Sequence, residues 1–292
     1  MVENKGSDKA FNYVVLVIML LITFGICLPL LFVVANSFSS ANMVNKGAVF
    51  LFPREFTFEH YKKVLTNANI LTGFRNTLLY VVLGTLIQLF LQFSAAYPLS
   101  RKDLKGRTFF SVYFSLTMFV SAGMIPSYLV VKGLGMLNTI WAMIIPGCVS
   151  VFNIVVIRTF MQSLPWDMQE AAMLDGCGNV KMFFVIVLPL CRAIIAVMVL
   201  YSIVGYWNAY FNSLLYVTDD KLFPLQRVIQ RILIANDASS SMGGDLGLGE
   251  QGMTSEVLKY VTIVVSSLPL IVIYPFFNKY FETGLMIGGL KG

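Results

Sequence analysis

The chain has 292 residues, 57% of them hydrophobic and 12% charged, with a formal net charge of +6. Soluble domains average about 25% charged and about 45–50% apolar residues, so this balance excludes an ordinary soluble enzyme and points to a membrane protein. The positive excess is spread thinly over loops, which fits basic residues flanking membrane spans and not a nucleic-acid-binding face.

A bilayer core of about 30 Å takes roughly 20 apolar residues as a helix. Six segments reach that length: 13–36, 76–99, 109–131, 137–157, 193–217 and 260–281. They predict an all-α membrane protein, a single transmembrane domain over 1–292. The first segment is too long for a signal-peptide core, and Glu3 and Asp8 stand where a leader would be basic, so it reads as a retained span. With the N-terminus inside, the 21 Lys and Arg residues divide eleven to ten between the two sides, which decides nothing. Short loops weigh more. "SRKDLKGR" (100–107) holds Arg101, Lys102, Lys105 and Arg107, whereas "VKGLGM" (131–136) holds only Lys132. Both termini are therefore expected in the cytoplasm, with 37–75 and 218–259 outside and 158–192 inside. Prolines 29, 126, 146, 269 and 275 interrupt spans one, three, four and six. Such breaks are tolerated where neighbouring helices or a cavity satisfy the freed backbone. No internal repeat is visible.

Several apparent signals carry no chemistry. Gly247, Gly249 and Gly252 spell a dinucleotide fingerprint, but they follow a polar serine-rich stretch rather than a strand, and read as flexible loop. No P-loop occurs, so the chain does not carry its own ATPase. His60, the single histidine, lacks ligand-type neighbours and reads as a solvated loop residue. Cys27, Cys148, Cys177 and Cys191 form no CxxC pair and read as small buried hydrophobes; no metal site is indicated. Ionisable residues are nearly absent from the span interiors, and Arg75, Arg158 and Arg192 sit at span ends. Any transport would thus be driven from outside this chain. Gln88 and Gln92 share one face of span two, either as interhelical hydrogen-bonding groups or as lining of a polar path.

The loop 158–192 breaks the pattern. Ser163 is a candidate helix cap, Pro165 a first-turn residue and Gly176 a stop. About ten helical residues between them are too few to be stable alone in water. At 100° per residue, Pro165, Met168 and Ala172 fall on one side, Trp166 and Met173 on a second, and Asp167 and Glu170 on a third. Apolar patches on separate sides imply two contacting bodies, the chain's own membrane core and a cytoplasmic partner.

The spacing Glu170-Ala171-Ala172, three residues, Gly176, nine residues, Ile186, one residue, Leu188-Pro189 resembles the EAA loop of bacterial ABC-importer permeases, at all seven fixed positions over 20 residues. "SLPWDMQEAAMLDG" (163–176), "YWNAYFNSL" (206–214), "LPLIVIYPFFNKYF" (268–281) and "GLMIGGLKG" (284–292) extend the resemblance to the maltose-type carbohydrate permeases, in particular the subgroup for complex oligosaccharides and polysaccharides. The likeness is weakest in 37–75 and 235–253. It implies the type I importer permease fold, six spans with a coupling helix between the fourth and fifth. Glu170, Ala171, Ala172 and Gly176, with Asp175 beside them, would dock an ATPase subunit. It also implies a second, homologous but different permease, two ATPase subunits that hold ATP and Mg, an extracytoplasmic solute-binding protein and an oligosaccharide substrate. No cofactor is expected on this chain, and no covalent chemistry. A permease for a non-sugar solute is the alternative; a membrane-embedded enzyme lacks a nucleophile–base pair, and a stand-alone channel would not need the loop.

For the sugar path, Tyr201, Gly205, Asn208 and Asn212 fall within about 60° of one another if span five is one continuous helix. A phenol and two amides can hydrogen-bond hydroxyls. Trp207 and Phe211 would flank that stripe and stack on a sugar ring, with Tyr210 pointing away. The same stripe could instead be polar glue between helices.

Overall fold

A computed structural model describes residues 5–120, 122–242 and 249–289, and every regular element among them is helical. The chain divides into two compact units, residues 1–70 with 229–268, and residues 71–228 with 269–292.

The first unit contains α1 (Lys5–Ser37), α2 (Ala41–Asn45) and α3 (Glu59–Leu65). The most apolar window of Phe11–Ser37 buries none of its residues against the chain, so hydrocarbon is the surrounding that suits it. Cys27 lies on this helix and is exposed, unlike the buried residue expected; Cys148 and Cys191 are buried and Cys177 half-buried. Beyond α1 the chain folds back on itself. Ser40 caps α2, the Arg54 N–H donates to Ser39 Oγ at 3.0 Å, and the Thr57 N–H donates to Phe38 O at 3.0 Å. This return stacks Phe38 on Phe56 and Tyr61, with centroids 5.3 and 4.9 Å away. His60, expected to be solvated, is 5% exposed. Burial, helped by Lys63, holds its imidazole below the ordinary value.

The second unit is built on α4 (Ala68–Ser100), α5 (Arg107–Phe119), α6 (Met124–Gly133), α7 (Ile140–Ile144), α8 (Val151–Ser163), α9 (Trp166–Leu174), α10 (Asn179–Met182), α11 (Leu188–Leu190), α12 (Arg192–Trp207) and α13 (Tyr210–Tyr216). Two further helices, α14 (Leu225–Met242) and α15 (Gly249–Gly289), contribute to both units, as does α4. The core of the second unit joins Phe93, Ala96 and Tyr97 of α4, Ile154, Ile157 and Met161 of α8, Ala172 of α9, and Met198 of α12. Higher on α4, Gly84 makes room for a ring: a Cβ there would lie 2.5–2.7 Å from Tyr206.

Among the described residues, three helices are long and apolar enough to cross a membrane unbroken: Phe11–Ser37, Ala68–Ser100 and Glu256–Phe277. The other three apolar segments are helix pairs, so spans three to five are broken rather than straight. The third breaks between α5 and α6, ahead of Gly123 at φ 84°. The fourth bends by 53° between Ile140–Gly147 and α8, where Pro146 sits in a 3₁₀ turn. The fifth bends by 82° between Asn179–Leu190 and α12, after a π-helical turn at Phe183–Val187 that precedes Pro189. It then stops at Trp207, ten residues short of the expected 217, and α13 is a separate helix packed on α6 and α7. Gly249 and Gly252, expected in a loop, open α15; Gly247 lies outside the described residues.

Candidate functional site

The loop between α8 and α12 is ordered by short-range rules. Leu164 is extended and Pro165 holds φ at −57°, so α8 ends and α9 starts afresh. Ser163 does not cap α9 as expected: its Oγ donates to Phe160 O at 2.7 Å, inside α8. At the other end, the Cys177 N–H donates to Ala172 O at 2.9 Å and the Gly176 N–H to Met173 O at 3.0 Å. With Gly176 at φ 74°, these two bonds make a Schellman stop. A Cβ on Gly176 would meet nothing within 4 Å, so the demand for glycine there is torsional and not steric.

α9 has two sides. Gln169 and Ala172 are buried and Trp166 and Met173 half-buried, facing the unit's own core. Asp167, Met168, Glu170, Ala171 and Leu174 are exposed, as are Asp175 and Gly176. Glu170, Ala171, Asp175 and Gly176 thus share the open side, whereas Ala172 belongs to the core. Met168, grouped with Ala172 by the helical wheel, is 47% exposed, and Leu174 is 85% exposed.

One remote side chain adds to the core packing of the inner side. Arg101, just past the end of α4, is 6% exposed. Its guanidinium pairs with Asp103 through Nε at 2.7 Å and Nη2 at 2.6 Å. Nη1 donates to Tyr97 Oη at 3.0 Å, Asn179 Oδ1 at 2.9 Å and Met182 Sδ at 3.6 Å, and Nη2 reaches Met173 Sδ at 3.3 Å. It also lies 6.0 Å from the Trp166 ring centre, within cation–π range. The hydrogen bonds to Asp103 outweigh desolvation and hold the arginine firmly charged, and the same pair holds the Asp103 carboxyl below its usual value. A cavity of about 480 Å³ opens beside this cluster, lined among others by Phe90, Tyr97, Lys105, Val180 and Phe184.

The stripe on span five is interrupted. α12 ends at Trp207, Asn208 is its C-cap, and α13 begins at Tyr210, so Asn212 lies on a different helix from Tyr201 and Asn208. Tyr201 and Asn208 are exposed and Gly205 faces open space. Asn208 donates to Val204 O at 2.9 Å and accepts from Gln226 at 3.4 Å. Trp207 is not beside the stripe: it is 1% exposed and edge-on to Phe74 at 5.8 Å. Phe211 is exposed and Asn212 half-buried. Gln88 and Gln92 are both buried, and the Gln92 amide has no hydrogen-bond partner among the described residues.

Two features escaped the sequence reading. Arg101 had been only one of four basic residues marking a loop. Asn138 adopts φ 55°, a conformation in which asparagine is enriched, and its Oδ1 accepts from the Thr218 and Asp219 N–H groups at 2.6 and 3.2 Å, fixing the chain after α13. Among the described residues no group of three or more His, Cys, Asp or Glu is placed to hold a metal ion.

No family model matches the chain. Protein LplC of Bacillus subtilis (strain 168) is 38% identical over 268 residues, covering 91% of this chain and 89% of that protein. The polygalacturonan/rhamnogalacturonan transport system permease protein YtcP of the same organism is 35% identical over 290 residues, covering 98% of this chain and 100% of that protein. The crystal structure of a bacterial ABC transporter involved in the import of the acidic polysaccharide alginate superimposes with a TM-score of 0.87 at 28% identity, covering 96% of this chain and 99% of the matched chain. These relatives, together with up to six apolar spans among the described residues, define an ABC-importer membrane subunit. The chain belongs to the carbohydrate-uptake permeases of that class. It is therefore a multi-pass membrane protein and a transport subunit; ATP hydrolysis falls to separate ATPase subunits, and a partner permease and a solute-binding protein complete such importers in general. The non-sugar alternative gives way to this assignment.

Proposed function

We propose that α9 is the coupling helix of this permease, with Glu170, Ala171, Asp175 and Gly176 facing an ATPase cleft and Ala172 rooting the helix in its own unit. The observation that carries this reading is the open side of α9. A nine-residue helix, too short to stand alone, is anchored on one face yet leaves Met168 and Leu174 uncovered on the other. In this reading both units belong to one permease domain over 1–292. The working importer pairs the chain with a homologous but different permease, two ATPases that hold ATP and Mg, and an extracytoplasmic solute-binding protein. Both termini and α9 are cytoplasmic. The cargo is an oligosaccharide cut from a complex polysaccharide, in keeping with the polygalacturonan/rhamnogalacturonan and alginate systems named above. Tyr201 and Asn208 are the path residues best placed to meet it, with Asn212 on the neighbouring helix; buried Trp207 is not.

The test is Gly176→Val in the assembled importer. A β-branched residue at φ 74° is strained by about 1–2 kcal/mol. Sugar uptake and ATPase association should both fall while membrane insertion persists. Normal sugar-stimulated ATP hydrolysis in this variant would overturn the reading. A cysteine at Leu104 labelled only from the cytoplasmic side checks the orientation.

A further inference from the structure

We infer that Arg101 is a positioning residue that ties the coupling helix to the end of α4, so that movement of α9 is delivered to the α4 span directly as well as along the chain to α12. The inference rests on the assignment of α9 as the coupling helix.

The geometry is a convergence on one planar group. Between α9 and α10 the chain runs through residues 175–178, with Gly176 in the left-handed region. The Arg101 guanidinium spans this turn from outside, beside the core contacts of Ala172 and Met182. It touches Met173 and Trp166 on the α9 side of the turn, and Asn179 and Met182 on the α10 side. It also donates to Tyr97 on the last turns of α4, one helical turn before its own position. Five N–H donors in a rigid fork can serve partners in several directions at once; a lysine, a single point charge on a flexible stem, cannot.

Burial turns these contacts into a tie. At 6% exposure the cation depends on its partners, because a buried charge stripped of them is strongly unfavourable. Drawing α9 away from α4 would break the contacts to Met173 and Trp166 while Asp103 and Tyr97 stay with the guanidinium, so separation of the two helices is opposed by those α9 contacts. The covalent route from α9 to α12 instead passes the Schellman turn, the π-helical turn and an 82° bend, each able to absorb displacement. Arg101 offers a route with none of these. Asp103, whose side chain is 56% exposed, balances the charge while remaining in contact with solvent, so the neutralising partner does not itself anchor the helix.

The experiment uses the complete importer in proteoliposomes, with its partner permease, ATPases and solute-binding protein. Two quantities are measured: sugar taken up per ATP hydrolysed, and disulfide cross-linking of Leu174→Cys to a cysteine in the ATPase cleft. In Arg101→Met, cross-linking and ATP hydrolysis should persist while uptake per ATP falls about tenfold, within the usual span of coupling energies. Arg101→Lys should resemble Arg101→Met, because the fork and not the charge is needed. Should either variant fail to assemble, Asn179→Ala, which removes only the α10 contact, should still lower uptake per ATP about threefold. An unchanged ratio in an assembled Arg101→Met complex, or in Asn179→Ala, overturns the tie. Absence of the Leu174→Cys cross-link with Arg101 intact overturns the coupling-helix assignment itself, so the two failures are told apart.

Discussion

The two ends of α4 are held in opposite ways. At its early end, Asn76 Nδ2 donates to Lys221 O at 2.7 Å and to Phe223 O at 3.0 Å, Tyr80 Oη donates to Leu222 O at 2.7 Å, and Thr77 Oγ1 accepts from the Leu225 N–H at 2.8 Å. Gly73 lets the same segment approach, since a Cβ there would lie 3.1 Å from Leu225 Cα. All these partners are neutral, act in parallel and bind backbone, so losing one leaves the others in place. At its late end a single cation gathers three elements. Redundant neutral bonds suit a fixed anchor. Convergence on one charged group suits a joint through which load passes, because everything it holds is released together.

Three experiments break or sharpen this contrast. The largest effect is expected between the two ends, at Gly84→Leu. The Tyr206 ring already occupies the space, and its hydroxyl donates to Ile144 O at 3.2 Å, so the ring has no free direction of retreat. Overpacking of this kind costs about 1–3 kcal/mol or more, and the purified permease should melt well below the wild type. An unchanged melting temperature would show that α4 is not the spine both ends depend on.

Thr77→Val comes next. It leaves the buried Leu225 N–H without its acceptor, a loss of about 1–3 kcal/mol. If this end is a passive anchor, stability falls but uptake per ATP stays at the wild-type ratio, the reverse of Arg101→Met. A drop in that ratio at constant stability would erase the distinction between the two ends.

The smallest effect concerns pH. Arg101 lowers the Asp103 carboxyl in the folded state, so the stabilisation from this pair is present above the ordinary value of 3.8 and is lost as pH falls through the lowered one. The carboxylate is largely solvated, which limits the contribution to about 1 kcal/mol or less. The melting difference between wild type and Asp103→Asn should therefore stay flat from about pH 8 to about pH 5. A difference that closes near neutral pH would mean another group titrates there.

What was legible from sequence follows the range of the forces involved. The stop at Gly176 depends on neighbours within a few residues and was readable, whereas the helical wheel grouped Met168 with Ala172, which the structure separates into exposed and buried. Six apolar lengths were readable as well, because burial in hydrocarbon needs only composition and length. The interruption of span three was signalled by Pro126, which lies in the first turn of α6, but the left-handed backbone at Gly123 ahead of it was not. The span-five stripe assumed an unbroken helix; the chain turns at Asn208, the phase is lost, and Trp207 packs inward against Phe74. His60 looked solvated from its sequence neighbours, yet it is buried. Arg101 was hardest to read, because the side chains it grips lie 72, 78 and 81 positions away.

That separation bears on how such permeases can be recombined. A loop exchange covering 158–192 would carry the proposed docking motif into another permease and leave behind the guanidinium that contacts it, which belongs to residue 101. The transplantable part is discontinuous: Tyr97, Arg101 and Asp103 must travel with Trp166, Met173, Asn179 and Met182. On the proposed coupling reading of α9, a chimera made from the loop alone inherits an address for the ATPase without the lever that answers it.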